Sequence, residues 1–247
     1  MSMWAWFHRL ASPKHFYRIA GRWIPWLTAV CVVLFVVGLY TGLYASPPDY
    51  QQGDTIRIMY VHVPAAWLSL FVYVVMAGAS AVYLIWRIKL ADLVALSSAP
   101  IGASFTFLAL ATGSLWGKPI WFTWWVWDGR LTSELILLFL YLGYMGLRAA
   151  IDDRRSAARA GAVLALVGVV NVPIIHYSVE WWATLHQGST VFRAEGPAIH
   201  PSQLLPLLVM GLAFTVFYLT IVLIRARAEL LLQERRSAWV REVIDSP

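Results

Sequence analysis

Long apolar stretches separated by short polar segments dominate the chain. Six of them reach the roughly 20 residues that a helix needs to cross a bilayer: Ile24–Tyr44, Ile58–Trp86, Leu93–Gly117, Leu131–Ile151, Gly161–Val179 and Leu204–Ile224. Only the fourth contains an Asp, Glu, Lys or Arg residue (Glu134 and Arg148, near its two ends). Because backbone polar groups find no water in hydrocarbon, each stretch is predicted to be a helix. We expect an all-α, polytopic membrane protein, a bundle of six transmembrane helices in which residues 1–247 form a single membrane domain.

The composition supports this class. Hydrophobic residue types make up 60% of the 247 residues and charged types 13%, about half the charged share of an average soluble protein. So few charges could not cover the surface of a soluble domain of this size. The single cysteine, Cys31, excludes an internal disulfide, a CxxC redox pair and a cluster held by several thiolates.

The basic residues are divided unequally between the two ends of the bundle. Of the 19 lysines and arginines, 15 lie in the N-terminal segment, the second and fourth inter-helix loops and the C-terminal tail. The other four are Arg57, Lys118, Arg130 and Arg193. The positive-inside rule therefore predicts that both termini are cytoplasmic. The net charge of +6 is explained by this topology, without nucleic acid.

The N-terminal segment is basic and aromatic. The first apolar stretch after it is too long for the core of a usual signal peptide, so we expect an uncleaved anchor. A short basic helix on the inner membrane surface is predicted in front of it, from Trp4, Phe7, Arg9, Lys14, Phe16 and Arg18.

Tryptophans crowd the predicted outer side. Five of the 14 occur in the run Trp116-Gly-Lys-Pro-Ile-Trp121-Phe-Thr-Trp124-Trp125-Val-Trp127-Asp128, and Trp181 and Trp182 open another outer loop. A membrane-interface belt needs only one or two rings per helix end. The run therefore favours a shelf for a flat, apolar, aromatic ligand, with a belt or a packed lid as the alternative.

Four of the six histidines fall in the same outer half: His62, His176, His186 and His200. Two imidazoles beside an aromatic shelf can hold a haem iron from both faces. One histidine in such a place is more often a structural hydrogen-bonding residue. The positions alone do not select which two of the four would form the pair.

These motifs resemble the WWD domain of haem-handling membrane proteins. Within that group the whole chain is similar to the haem exporter protein C family of cytochrome c maturation. The resemblance is carried by Tyr60-Val-His62-Val-Pro-Ala-Ala, the WWD loop at 116–130, Asp128-Gly-Arg130-Leu-Thr-Ser-Glu134, and the segment from His176 through His186 to Thr190. Two positions depart from the expected pattern: Phe122 stands in place of glycine and Gly129 in place of alanine.

The resemblance implies a protein of the bacterial inner membrane that binds haem b at the periplasmic face. It implies delivery of the haem to a periplasmic haem chaperone, in the biogenesis of c-type cytochromes. The axial ligands would be His62 and His186, and a second periplasmic haem loop would span 180–203. The implied partners are an ABC-type ATPase, a second permease-like subunit and a small single-span subunit, and no enzymatic activity is implied.

Further roles follow from the residue types. The indoles would cover the porphyrin: Trp116, Trp121, Trp124, Trp125 and Trp127. Among the outer cations, Arg57 and Arg130 are the first choices for the haem propionates. Alternatively, Arg130 forms an i,i+4 pair with Glu134. Asp128 either caps the fourth helix or binds indole N–H groups and the chaperone. GxxxG spacing at Gly38/Gly42 and Gly113/Gly117 predicts close helix packing.

Two other functional classes remain open. An electron-transfer cytochrome b would hold haem between helix interiors, whereas the candidate ligands here lie at the outer rim and in a loop. A permease subunit of an ABC transporter would need the ATPase of another chain, because Gly117-Lys118 is followed by Pro119 and forms no Walker A motif. We therefore expect haem presentation and transfer.

Overall fold

The computed structural model describes residues 12–188, 190–191 and 193–245. Within these residues there are eight α-helices: α1 (Pro13–Leu39), α2 (Met59–Trp86), α3 (Lys89–Trp121), α4 (Gly129–Ala150), α5 (Arg154–Gly168), α6 (Asn171–Trp181), α7 (Pro201–Gln233) and α8 (Ala238–Asp245). A π-helical segment, Tyr40–Ala45, extends α1, and a 3-10 turn, Asp54–Ile58, precedes α2. The described part of the chain contains no β-strand.

Six helical segments in the described residues are long and apolar enough to cross a membrane. The prediction of an all-α protein with six spans is confirmed. The helices extend beyond the apolar stretches into polar sequence, and α7 continues to Gln233.

The predicted surface helix is wrong for the part that the structure describes. Lys14, Phe16 and Arg18 belong to the first turns of α1, which continues into the membrane span. Side-chain contacts with the C-terminal segment explain this: Arg227 lies 4.1 Å above the Tyr17 ring, and Lys14 pairs with Glu242 of α8 at 2.9 Å. Trp4, Phe7 and Arg9 lie outside the described residues.

The fifth apolar stretch is two helices, not the single helix predicted. α5 ends at Gly168 and α6 begins at Asn171. Pro173 supplies a physical reason, because it has no N–H to donate to the carbonyl four residues earlier and its ring crowds that carbonyl. The side-chain amide of Asn171 donates to the Ser133 carbonyl at 2.9 Å. This hydrogen bond fixes the break against α4.

The helices pack as two connected groups. α1 packs chiefly on α7, while α2 and α3 lie side by side and contact α7 and α4. A Cβ atom at Gly38 would lie 2.5 Å from Met210 Sδ on α7, and one at Gly42 would lie 2.9 Å from the Tyr60 ring. Close helix packing at this glycine pair is confirmed.

Several polar groups inside the bundle are paired across helices. Tyr141 donates to the Ser69 carbonyl at 2.8 Å, and Tyr218 lies 2.9 Å from the Ser98 hydroxyl. Arg148 of α4 forms a two-point ion pair with Asp92 of α3. Such pairs fix the helix register in surroundings where an unpaired polar group is costly.

Candidate functional site

His62 and His186 are 124 positions apart in the sequence but line the same space at one end of the bundle. Two adjoining cavities, with empty volumes of about 590 and 510 Å³, share four lining residues: His62, Gly113, Trp121 and His186. The two histidines that the resemblance selects are thus brought together by the fold.

His62 is held by a regular helix. It lies in the first turns of α2, and its Nδ1 is 3.0 Å from the hydroxyl oxygen of Thr112 on α3. The Thr112 hydroxyl also contacts the Leu108 carbonyl at 2.6 Å. The imidazole meets the Trp116 ring edge-on, with 5.6 Å between centroids.

His186 lies in the non-helical segment between α6 and α7. Its backbone N–H donates to the Thr184 hydroxyl at 3.2 Å, and its ring lies 4.8 Å from Trp121, centroid to centroid. Its Nδ1 is buried and has no hydrogen-bond partner in the described part of the chain.

The electrostatic surroundings keep His186 neutral. Burial, and secondarily the charge of Arg130, lower the pKa of His186 from 6.5 to about 4, while Asp128 acts in the opposite direction. At pH 7 the imidazole is therefore uncharged, which is the form that can give a lone pair to a metal.

The tryptophan run is partly helical. Trp116 and Trp121 lie in the last turns of α3, and the connection to α4 carries the others. The first cavity is lined by Trp121, Trp124 and Trp125, and the second by Trp116 and Trp121. Trp127 is 75% exposed and packs on Trp125, with 5.4 Å between ring centroids.

Indole N–H groups differ in their partners. Trp116 donates to the Gln52 side-chain oxygen at 2.9 Å, which joins α3 to the connection between α1 and α2. The buried Nε1 of Trp125 has no partner in the described residues. It therefore leaves an unpaired donor at the first cavity.

The two arginines predicted to bind propionates have different surroundings. Arg130 lines the first cavity and donates to the Ile175 carbonyl at 3.3 Å. Arg57 donates to the Leu43 carbonyl at 2.7 Å and pairs with Asp54 at 3.2 Å, outside the lining of both cavities. The role of Arg57 stays a prediction.

The alternative role for Arg130, an ion pair with Glu134, is not formed within 4 Å among the described residues. Glu134 is buried and accepts a hydrogen bond from Ser69 at 2.7 Å. Both residues line the first cavity. The arginine therefore keeps donors available on the cavity side of α4.

Asp128 connects the loop between α3 and α4 to the segment that follows α6. One carboxylate oxygen accepts from the backbone N–H of Leu131 at 2.8 Å and so caps α4. The predicted capping role of Asp128 is thus confirmed. The other oxygen accepts a hydrogen bond from the Thr184 hydroxyl. Since Thr184 also holds the backbone of His186, Asp128 positions the segment that carries His186.

The two departures from the expected pattern have local explanations. Phe122 ends α3 with a φ of 60°, a left-handed conformation that glycine adopts with less strain. A Cβ atom at Gly129 would lie 3.1 Å from the Trp182 ring. The glycine thus allows Trp182 to pack against the start of α4.

The other two outer histidines lie elsewhere. His176 is exposed on α6 and packs edge-on against Tyr177, with 4.8 Å between centroids. His200 is exposed and caps α7, because its Nδ1 accepts from the backbone N–H of Ser202 at 3.3 Å. Neither histidine lines the two cavities.

Sequence reasoning missed several supporting residues. The predicted close packing is confirmed at Gly113, because a Cβ atom there would lie 2.9 Å from Cε1 of His62 on α2. At Gly117 the nearest ring, also at 2.9 Å, is that of Trp121 on the same helix. The two glycines thus make room for rings that line the second cavity, one from α2 and one from α3 itself. Thr112 and Thr184 carry no signal of their own, because their partners are distant in sequence.

The site suits a flat porphyrin with a central metal ion. Two imidazoles border one space, indoles surround it, and a guanidinium lies at one edge. The buried, unpaired indole nitrogen of Trp125 remains available to a bound group, and the Nδ1 of His186 has no acceptor in the described residues. Iron ligation, porphyrin contact and carboxylate pairing are each matched by a residue type that favours them.

Comparisons with known proteins agree with this reading. The model of the family described as "Heme exporter protein C" matches residues 6–241. The chain is 52% identical over 242 residues to Heme exporter protein C of Escherichia coli (strain K12), covering 98% of both chains. It is 54% identical over 228 residues to that of Bradyrhizobium diazoefficiens, covering 92% of this chain and 86% of the relative. For the protein of Haemophilus influenzae the identity is 49% over 239 residues, with 97% of both chains covered. The chain therefore belongs to the haem exporter protein C family.

Proposed function

We propose that the protein binds haem b as its cargo at the periplasmic face of the bacterial inner membrane. It then transfers the haem to a periplasmic haem chaperone for the maturation of c-type cytochromes. Family membership supports haem export as the general activity. On this reading the protein is a transport and maturation component and not an enzyme.

The observation that carries the proposal is the meeting of His62 and His186 at a shared space beside the indoles of α3. Haem supplies an iron that accepts one lone pair on each face. The imidazoles of His62 and His186 hold the iron from opposite sides. Trp121, Trp124 and Trp125 cover the ring and keep water away from it.

Charge defines the orientation of the cargo. Arg130 is the guanidinium at the first cavity, so it pairs with a propionate, and Arg57 takes a second propionate if its contact with Asp54 is exchanged. Glu134, which is hydrogen-bonded to Ser69, borders the same edge and limits where an anionic group fits.

Topology supports the periplasmic side. The division of basic residues favours cytoplasmic termini and a tryptophan-bearing end on the outer side. A chaperone in the periplasm can then reach the exposed Trp127 and Trp182. An ABC-type ATPase, a second permease-like subunit and a small single-span subunit are the proposed membrane partners.

Placement of the ligands favours transfer over electron transfer. His186 belongs to a loop segment and His62 to the first turns of α2, so the cargo is bound at the end of the bundle and not between helix centres. A haem held there can be passed to another protein.

The test is an absorption spectrum of the purified protein, oxidised and reduced. We expect a bis-imidazole haem spectrum. His62→Ala and His186→Ala should each change it and lose haem during purification, and added imidazole should partly restore binding.

Matched controls are His176→Ala and His200→Ala, which should keep the parental spectrum and haem content. Absence of haem from the parent protein expressed in haem-replete cells would contradict the proposed function. Haem loss in the control pair alone would contradict the ligand assignment.

A further inference from the structure

The two histidines of the site are supported very differently. His62 is on a regular helix and its ring nitrogen has a hydroxyl partner, whereas His186 is on a non-helical segment and its buried Nδ1 has none. This asymmetry bears on how a bound haem would leave. The inference rests on the proposed function and adds an order of events to it.

Thr112 fixes the tautomer of His62. The Thr112 hydroxyl has one hydrogen. It donates this hydrogen to the Leu108 carbonyl at 2.6 Å, because a carbonyl oxygen can only accept. The Thr112 oxygen can then only accept from His62, so Nδ1 carries the imidazole proton at 3.0 Å. The lone pair is left on Nε2, and a hydrogen bond from Nδ1–H to an acceptor strengthens a histidine as a metal ligand.

His186 has no equivalent support for its ring. The hydrogen bond that positions it runs through its backbone N–H to Thr184, which in turn donates to Asp128. The ring itself packs on Trp121. No acceptor orients its Nδ1 in the described part of the chain.

We propose that the two axial ligands have unequal roles: His62, oriented by Thr112, retains the haem, and His186 is the ligand that is released first. The bond that breaks joins the iron to the imidazole of His186, and its electron pair stays on the nitrogen. Thr112 is a positioning residue for the retaining ligand, and Thr184 is a positioning residue for the released one.

The test uses the full-length, haem-loaded protein in detergent and two readouts. The first is the rate at which haem passes to excess apomyoglobin. The second is the rate at which carbon monoxide binds the reduced protein, which depends on release of one axial ligand. The variants are Thr112→Val and Thr184→Val, each with the serine replacement as the conservative form.

Each threonine should affect a different readout. We expect Thr112→Val to raise the haem-transfer rate about ten-fold and to leave carbon monoxide binding within about two-fold of the parent. Thr184→Val should raise the carbon monoxide rate about ten-fold. Thr112→Ser and Thr184→Ser should each behave as the parent.

Thr106→Val is the matched control. Thr106 lies on the same helix as Thr112, is buried, and makes the same bond to the carbonyl four residues earlier, at 2.8 Å to Gly102, but does not contact a histidine. It should change neither rate.

The proposal is overturned if Thr112→Val transfers haem no faster than Thr106→Val. It is also overturned if Thr112→Val, and not Thr184→Val, accelerates carbon monoxide binding. These outcomes leave the proposed function intact, because both need a protein that binds haem. A parent protein without haem would instead overturn the proposed function.

Discussion

Phe122 shows how one residue can carry local strain at a functional loop. It ends α3 with a φ of 60°, and its side chain is 84% exposed, so no burial offsets the backbone cost. A non-glycine residue in the left-handed region costs on the order of 1–3 kcal/mol of folded-state stability. Replacement by glycine relieves this strain, but the flexibility of glycine also stabilises the unfolded chain and so offsets part of the effect.

Phe122→Gly should therefore stabilise the protein by about 1 kcal/mol. Thermal unfolding in detergent measures this change in stability. Phe122→Ala is the control, because it removes the exposed ring but keeps a Cβ atom in the strained conformation. An equal gain in the alanine variant would assign the effect to the ring and not to the backbone.

His186 should make haem binding resistant to moderate acid. Its pKa of about 4 lies below the ordinary 6.5, so protons compete with iron only as the pH falls toward 4, and binding is fully present above that range. An unshifted histidine would already cost about ten-fold in affinity at pH 5.5.

Titration of haem binding from pH 8 downward checks this prediction. We expect constant affinity to about pH 5.5 and a decline toward pH 4, with a midpoint near the lowered pKa of His186. A midpoint near 6.5 would mean that the haem-free imidazole is hydrated and not shielded by Trp121.

At the scale of elements, α3 acts as the support of the site. One side of its outer half carries Thr112, Gly113 and Trp116, which contact the His62 ring or leave room for it. One turn further, Gly117 leaves room for Trp121. The helix thus positions both His62 and the indole on which His186 packs.

Gly113→Ala should disturb the site without disturbing the fold. The new Cβ atom would lie 2.9 Å from Cε1 of His62, so the imidazole must move, and haem affinity should fall about ten-fold. Haem content and the reduced spectrum of the purified variant measure this.

Gly78→Ala is the matched control, because no heavy atom lies within 4 Å of a Cβ at that helical position. It should leave haem binding unchanged and should not lower stability, since alanine favours helix more than glycine. Parental haem affinity in Gly113→Ala would show that the His62 ring has room to shift.

The spans and the end rich in tryptophan and histidine could be predicted from the sequence because both depend on local patterns. Apolar length marks a span by itself, and tryptophans gathered within one run mark an unusual surface. The break after Gly168 was missed because a two-residue interruption leaves the apolar stretch unbroken. Thr184 was missed because its importance arises only when α4 and the segment after α6 meet.

For the whole molecule, the prediction that affects every helix is the membrane topology. Because basic residues are divided 15 to four, a cytoplasm-only reporter fused after Arg155 should give signal, and one fused after Lys118 should give none. A periplasm-only reporter at the same two sites is the control and should give the opposite pattern. The same signals reversed would place the tryptophan-bearing end in the cytoplasm and contradict haem presentation to the periplasm.

The pairing of α1 with α7 has a consequence for biosynthesis. α1 leaves the ribosome before its chief partner α7 and before α8, which contacts Lys14. Until α7 is inserted, the surface of α1 that α7 later covers therefore lies against lipid. Contacts between distant parts of a chain form late, so we expect the packing of α7 on α1 to close the bundle last. A nascent chain that stops before Pro201 would contain both His62 and His186 and yet leave α1 without the helix on which it packs.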